Sequence, residues 1–396
     1  MNEMPDFWAP ATRANPYPMY AEMRRSSPLY RIEPDGVWAV SRYEDVQFVL
    51  KNTQIFSSEG FRRALRPDWL GRNPLADSML VMDPPTHTSL RATMSRAFSP
   101  RVISELEPHI RATCERLAGS LDGRDEADFV ADFAMPLAAS VIGDLLGLDP
   151  DLHHEFSRWN DDIAAIGPAP ESPERAAQIA ATLETMEGYL RQVVAARRRA
   201  PRSDLITALL GVDLNGRPLS DDEIVSFLFL LLPAGLHTPV YLLTNAVLAL
   251  ARFPETLARV RADAALVPAF LEEVLRYDPP SHGILRLTTA DVELAGTTVP
   301  AGSLVLILLA SANRDERQFP EPDRFDLDRG AQGVVAFGHG VHHCLGAALA
   351  RLEVRIALES LISRFRAVER PSGEVAWIRS ITLRGPVTLP LRFIPA

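Results

Sequence analysis

A cysteine lies in a glycine-rich turn near the carboxyl end of the 396-residue chain. Cys344 follows Gly338 and Gly340, and Gly346 precedes a run of residues that predicts a helix. Unpaired backbone N–H groups and the helix dipole favour a thiolate at a helix N-terminus. Because the glycines lack side chains, a flat ligand could approach the backbone closely. This pattern predicts an anionic sulfur ligand beneath a haem.

Residues 337–353 resemble the haem-binding signature of the cytochrome P450 family, Phe-Gly-x-Gly-x-His-x-Cys-x-Gly followed by Ala-x-x-Glu. The matching positions are Phe337, Gly338, Gly340, His342, Cys344, Gly346, Ala350 and Glu353. The resemblance implies that Cys344 ligates the iron of a haem b, with Phe337, His342 and Gly346 beside the ring. The alternative is a buried structural cysteine next to a glycine-rich turn.

A second set of residues is predicted to bind the two haem propionates. His87 and Arg91 lie four residues apart, so they share one face of a predicted helix that starts after two prolines. A buried carboxylate needs cationic or hydrogen-bonding partners, and this spacing resembles the His–Arg motif of the family. The resemblance adds Arg286 and His342 as further propionate partners. Without a haem, His87 and Arg91 would form a solvated helix face.

The long apolar segment at residues 224–250 contains a second motif that predicts chemistry. Ala234, Gly235 and Thr238 resemble the family's oxygen-activation motif Ala-Gly-x-(Asp/Glu)-Thr-Thr, whereas His237 replaces its acid and Pro239 its second threonine. Because splitting O2 requires protons, the resemblance implies that Thr238 positions a hydroxyl group or a water. His237 is a candidate proton relay, since imidazoles exchange protons near neutral pH. A structural role or a contact with substrate remains open for His237.

The same segment predicts a helix through the centre of a large protein. It is long enough to cross a bilayer, but prolines and polar residues interrupt it and three acids precede it. A helix that is apolar all round also suits the core of a soluble protein. Because proline has no N–H, Pro233 and Pro239 should free the carbonyls of Phe229 and Gly235. The helix should therefore kink or open there.

Three charged residues are predicted to stabilise the core beside the cysteine turn. Glu273 and Arg276 lie three residues apart, so they can pair on one helix face. They resemble the Glu-x-x-Arg motif of the family, and Arg324 matches the arginine that completes its network. The resemblance assigns these residues a structural role and no catalytic one.

The resemblance implies a mainly α fold with small β-sheets, and the lack of linker-like, low-complexity or repeated segments predicts one domain that spans residues 1–396. Alternating residues around Pro34, Asp35 and Gly36 predict a hairpin. Residues 54–82 have no clean period, which predicts a long loop with exposed aromatic side chains. The resemblance implies the cytochrome P450 fold, with the haem between the long central helix and the helix that follows the cysteine. Helices are further predicted at 15–26, at 43–52 and through 102–200, with breaks near 121–124, 147–150 and 167–170.

The resemblance also implies which residues border a substrate pocket. In the family, the region that corresponds to 54–82 covers this pocket, and a hairpin near the carboxyl end faces it. His282 and Gly283 are expected on the same border. The predicted pocket residues are Phe61, Trp69, Leu231, Ala234, Ile284, Leu285, Ile381 and Thr382.

Composition limits the classes of partner. The net charge of −10 argues against nucleic acid. Two cysteines exclude a disulfide framework and fit a reducing cytoplasm. The first residues show no basic region followed by an apolar core, so we expect no signal peptide and no membrane anchor.

By resemblance, the protein is expected to be a haem-thiolate monooxygenase that inserts one oxygen atom of O2 into a mostly apolar small molecule. No flavin or iron–sulfur motif occurs, so ferredoxin and ferredoxin reductase are the expected electron donors to a monomer. Candidate ferredoxin contacts are Arg96, Arg101, Arg351 and Arg355. The altered sequence at His237 and Pro239 leaves open a peroxide-driven, desaturating or coupling reaction. A haem sensor or carrier without turnover is a further alternative.

Overall fold

The computed structural model describes residues 6–167, 169–214, 216–371 and 373–396. Its α-helices are α1 (Pro10–Ala14), α2 (Tyr17–Ser26), α3 (Tyr43–Lys51), α4 (Glu59–Leu65), α5 (Thr86–Met94), α6 (Pro100–Gly119), α7 (Met135–Leu146), α8 (His153–Ala164), α9 (Pro173–Arg199), α10 (Leu205–Leu210), α11 (Asp221–Arg252), α12 (Pro254–Ala262), α13 (Val267–Tyr277), α14 (Leu309–Ala312) and α15 (Ala347–Arg364). Short 3-10 helices cover Pro74–Asp77, Met79–Val81, Ser95–Phe98, Pro150–Leu152, Ala264–Leu266 and Gly340–His342, and a π-helical turn covers Val130–Ala134.

The strands form small sheets beside the helices. They are β1 (Leu29–Ile32), β2 (Val37–Val40), β3 (Phe56–Ser57), β4 (Ala127–Asp128), β5 (Asp213–Leu214), β6 (Arg217–Pro218), β7 (Ile284–Thr288), β8 (Val292–Leu294), β9 (Thr297–Val299), β10 (Leu304–Ile307), β11 (Phe365–Glu369) and β12 (Pro390–Pro395). The largest described sheet has the order β1-β2-β10-β7-β3, with β10 parallel to β2 and antiparallel to β7. The mainly α fold and the predicted hairpin, now β1 and β2, are confirmed.

Helix α11 is the predicted long apolar helix. A capping box starts it, because the Ser220 hydroxyl accepts the Glu223 N–H at 3.2 Å while the Glu223 carboxylate accepts the Ser220 N–H at 2.9 Å. The helix ends at Arg252, just before Pro254. Its most apolar window is 72% buried, and it packs against α7, α8, α9 and α15. The burial confirms a core helix, although length and composition alone would allow it to cross a membrane.

The predicted loop at residues 54–82 is wrong in part. The segment contains β3 and α4 as well as two 3-10 helices. Phe56, expected to be exposed, is completely buried in the sheet against β7. These elements are too short to produce a periodic sequence pattern. Helix α4 lies directly on β7, because a Cβ added at Gly60 would come within 2.7 Å of the Arg286 backbone.

The pair of Glu273 and Arg276 is confirmed on α13, with 2.7 Å between the nearest charged atoms and both side chains almost fully buried. Arg276 also donates to three backbone carbonyls, including that of Arg324 at 3.0 Å. The predicted role of the Arg324 side chain is wrong, because that side chain is 59% exposed and pairs with Asp326. The side chain of Arg329, and not that of Arg324, lies 3.6 Å from Glu273. Only the carbonyl of Arg324 belongs to this buried network.

A second buried network connects α2 to the loop before β7. Tyr17 donates to Asp278 at 2.5 Å, the Tyr20 hydroxyl lies 3.2 Å from His282 Nδ1, and Arg384 lies 3.0 Å from Asp278. His282, expected on the pocket border, therefore faces α2. Burial lowers the pKa of His282 to about 4, although its hydrogen bond with Asp278 opposes that shift.

The pKa of His282 predicts a loss of stability in mild acid. The unfolded chain takes up this proton near pH 6.5 and the native state only near pH 4. Stability should therefore fall as pH drops through this window, by up to about 3 kcal/mol from this group. Urea unfolding of a His282→Gln variant should depend less on pH than wild type between pH 7 and 5. The control is His154→Gln at an exposed position; an identical pH dependence of His282→Gln and wild type would contradict the assignment.

Candidate active site

The cysteine turn is fixed by its backbone. The N–H of Cys344 donates to the Phe337 carbonyl at 2.9 Å. Gly338 and Gly340 have φ of +72° and +74°, and a Cβ at Gly340 would come within 3.1 Å of the Leu50 carbonyl oxygen. Glycine is therefore required here both by conformation and by close approach. The turn delivers Cys344 to the N-terminus of α15.

The surroundings of the Cys344 sulfur act on its pKa in opposite directions, and burial is the largest effect. Burial raises the pKa of Cys344, whereas hydrogen bonds from the N–H groups of Gly346 and Ala347 and the charges of Arg91 and Arg351 act in the opposite direction. Cys344 nevertheless has accessible surface. Across the α11–α15 contact, Ala234 is exposed although most of α11 is buried. This arrangement fits a flat group between the two helices.

Polar side chains converge next to this turn. The rings of His87 and His342 lie 3.9 Å apart, and His342 Nε2 is 2.9 Å from the Ser58 hydroxyl. Arg91 donates to the carbonyl of His343 at 2.7 Å. Both ring nitrogens of His87 are buried and have no hydrogen-bond partner among the described residues. Unpaired buried donors of this kind call for an acceptor, so the cluster fits the carboxylates of a haem.

Burial and the nearby arginines disfavour protonation of the two histidines in this cluster. Burial, together with the charge of Arg91, lowers the pKa of His87 to about 4. Burial likewise lowers the pKa of His342 to about 3 and that of Arg286 to about 10. Arg286 is 4% exposed on β7, and Asp83 is the nearby acid that raises its pKa. The donors present, two histidines and two arginines, are the chemistry that binds carboxylates.

Sequence reasoning missed Ser58 and Asp83. Asp83 accepts the N–H of Ser58 at 2.9 Å and the hydroxyl of Ser57 at 2.5 Å, which positions Ser58 against His342. No periodic signal could reveal this contact, because it joins a two-residue strand to distant turns. The Ser-Ser pair directly after Phe56 is the one local hint, since such residues often bond to nearby backbone groups.

Helix α11 continues as one helix through Pro233 and Pro239, so it does not open beside the cysteine turn. Thr238 is half-buried and donates its hydroxyl to the Ala234 carbonyl at 2.8 Å. A Cβ at Gly235 would lie 2.6 Å from Ile142, so the absence of a side chain lets α7 approach α11. His237 points to α8, with Nε2 3.4 Å from Asp161 Oδ1.

The predicted pocket residues do not form one cluster. Trp69 and Leu231 pack against the largest core cluster, Ile284 against the cluster around Phe56, and Leu285 and Ile381 against the cluster around α2. Trp69 donates its indole N–H to the Gly167 carbonyl at 2.9 Å, which connects the segment before α5 to the loop after α8.

The half-buried residues Phe61 and Thr382 are absent from these clusters. The carbonyl of Thr382 accepts the N–H of His282 at 2.8 Å. The pocket assignment therefore stays a prediction for the whole set.

The arginines expected to contact ferredoxin already have acidic partners. Arg101 pairs with Glu105, Arg351 with Glu272, and Arg355 with Glu359. The side chain of Arg96 lies outside the described part of the structure. Local pairing reduces the positive field that these residues present to a partner.

Comparisons with known proteins give a consistent result. The family model for cytochrome P450 matches residues 152–382. Cytochrome P450 107B1 of Saccharopolyspora erythraea is 38% identical, with 98% of each chain covered. Vitamin D(3) 25-hydroxylase of Pseudonocardia autotrophica is 36% identical and covers 99% of this chain and 97% of its own. The solved structure of CYP109Q5 from Chondromyces apiculatus is 41% identical, with a TM-score of 0.92 and coverage of 99% and 98%.

Proposed function

The chain belongs to the cytochrome P450 family, with its fold, a haem cofactor and monooxygenase activity, and from this premise we propose that it is a haem-thiolate enzyme that inserts one atom of O2 into a mostly apolar small molecule. The observation that carries the proposal is the thiol of Cys344 at the N-terminus of α15, with two backbone N–H groups directed at its sulfur. In this proposal the cofactor is haem b, Cys344 is its ligand, and residues 1–396 act as one domain.

The chain's own residues would hold the cofactor and shape its surroundings. His87, Arg91, Arg286 and His342 would bind the propionates, while Phe337, Gly346 and Ala234 would contact the ring. When bound, the haem supplies O2 binding, electron transfer and O–O cleavage. Thr238 would orient a hydroxyl group or a water toward the reacting oxygen, and its hydrogen bond to the Ala234 carbonyl fixes its starting orientation.

The substrate class is inferred from a relative, and the electron donors are inferred from the sequence. The name of the vitamin D(3) 25-hydroxylase denotes a largely apolar substrate, which supports an apolar substrate class here. With no flavin or iron–sulfur motif in the chain, the electrons would come from a ferredoxin and its reductase in the cytoplasm. O2 is the co-substrate.

A second candidate is a P450 with atypical chemistry, driven by peroxide or carrying out desaturation or oxidative coupling. The observation that favours it is the replacement of the motif's acid by His237, whose imidazole lies against Asp161 and is 6% exposed. Proton supply to the site therefore differs from that of an acid in this position.

The test is a two-step assay. A library of steroids, terpenoids, polyketides and cyclic peptides is first screened for spectral shifts of the holoenzyme. Compounds that shift the spectrum are then incubated either with O2, ferredoxin, reductase and NADPH, or with hydrogen peroxide alone. We expect product in the first reaction, at a rate that exceeds the second. Product formed only with peroxide would favour the second candidate, and binding without product in either reaction would indicate a sensor or carrier.

A further inference from the structure

An acid on α8 lies against the histidine that replaces the motif's acid. His237 is buried in α11, whereas its partner Asp161 is 68% exposed near the end of α8. Tyr241, one turn further along α11, stacks on the imidazole with ring centres 5.5 Å apart. Burial raises the pKa of Tyr241, and the charge of Asp161 raises it further. Asp161 therefore lies against the His237 ring and connects it to solvent.

Asp161 and the next residue, Asp162, contact different helices. Asp162 is buried and faces α9, where it accepts the Thr182 hydroxyl at 2.6 Å and pairs with Arg175. Of these two acids, Asp161 is therefore the one that contacts α11. The next residue after His237 is Thr238, which donates its hydroxyl to the carbonyl of Ala234, an exposed residue of the otherwise mostly buried helix α11.

The proposed reaction consumes protons as well as electrons. Its balance is RH + O2 + 2e⁻ + 2H⁺ → ROH + H2O, with electrons from the ferredoxin and protons from water. An imidazole can accept a proton at one ring nitrogen and release one from the other, so it passes protons without a lasting change of charge. Since Nε2 of His237 faces Asp161, Nδ1 is the nitrogen left to exchange a proton with another group.

We propose that Asp161 positions His237 and forms the solvent end of a proton path that runs from Asp161 through His237 toward Thr238. The pair takes over the task of the missing acid, with the carboxylate outside and the imidazole inside. Because the two residues lie on different helices, the path is complete only while α8 packs on α11. This inference rests on the proposed function.

The experiment compares Asp161→Asn, Asp161→Ala and the exchange Asp161→His with His237→Asp in the holoenzyme. Asp151→Asn, which changes an exposed acid just before α8, is the control. O2 consumption is measured with NADPH and saturating ferredoxin and reductase, in H2O and in D2O. Hydrogen–deuterium exchange of residues 153–164 reports separately whether α8 remains packed.

We expect both single replacements to slow O2 consumption by about tenfold or more, at the low end of what a positioned proton-transfer group contributes, and to enlarge the solvent isotope effect. The double variant, Asp161→His with His237→Asp, should recover most of the rate of O2 consumption. The control Asp151→Asn should match wild type. Faster exchange of α8 with an unchanged isotope effect would overturn the inference, because Asp161 would then only clamp the helix. Unchanged O2 consumption together with unchanged hydrogen–deuterium exchange of α8 would overturn it too. So would a double variant, Asp161→His with His237→Asp, that recovers none of the rate. A wild-type enzyme that consumes no O2 would instead refute the proposed function and the inference with it.

Discussion

Replacing Cys344 with alanine should abolish the red-shifted spectrum of the reduced carbon monoxide complex. The shift depends on electron donation by a thiolate to the iron, and alanine offers no ligand atom. The protein should still fold, because the backbone bond from residue 344 to the Phe337 carbonyl remains available. Haem content and the carbonyl spectrum of purified protein measure the effect.

Cys114→Ala is the matched control for this change. Cys114 is completely buried in α6, and burial raises its pKa, so it stays a thiol. We expect the spectrum of this variant to equal that of wild type. A red-shifted band that persists in Cys344→Ala would contradict the assignment of the ligand.

Replacing Arg276 with alanine should be among the most destabilising single changes in the chain. The substitution leaves the carboxylate of Glu273 buried without its main partner and three backbone carbonyls without their donor. Breaking a buried ion pair in this way costs about 3–5 kcal/mol. Chemical unfolding of the holoenzyme would measure the loss, and poor yield of folded protein is the expected result at 37 °C.

Two other arginines calibrate this prediction. Arg324→Ala removes an exposed side chain and should change stability by less than about 0.5 kcal/mol. The backbone carbonyl of residue 324 can still accept the hydrogen bond from Arg276. Arg329→Ala should have an intermediate effect, since Arg329 lies 3.6 Å from Glu273 and is 11% exposed. A larger loss for Arg324→Ala than for Arg329→Ala would show that the network differs from the one described.

Local sequence patterns predicted the elements that have a period or a turn signal. The hairpin of β1 and β2 and the core helix α11 belong to this group. Alternation, capping and apolar runs are local signals that involve consecutive residues. The short elements between Phe56 and Val81 were missed, since two to seven residues cannot establish a period.

Contacts between distant segments were less predictable. The motif selected Arg324, but whether its side chain or its carbonyl contacts Arg276 depends on how the chain turns at residues 322–326. The contact of His237 with Asp161 joins two helices far apart in sequence. Ser58 and Asp83 were missed for the same reason, whereas His87 and His342 were selected by motif before the structure brought their rings together.

The most direct test of the central claim follows the fate of O2. A compound that shifts the spectrum of the holoenzyme is incubated with ferredoxin, reductase, NADPH and O2 labelled with oxygen-18, and the product is analysed by mass spectrometry. The account predicts a product that carries one labelled oxygen atom and that is absent when Cys344→Ala replaces wild type. A product that carries oxygen from water, or an equal yield from Cys344→Ala, would contradict a haem-thiolate monooxygenase.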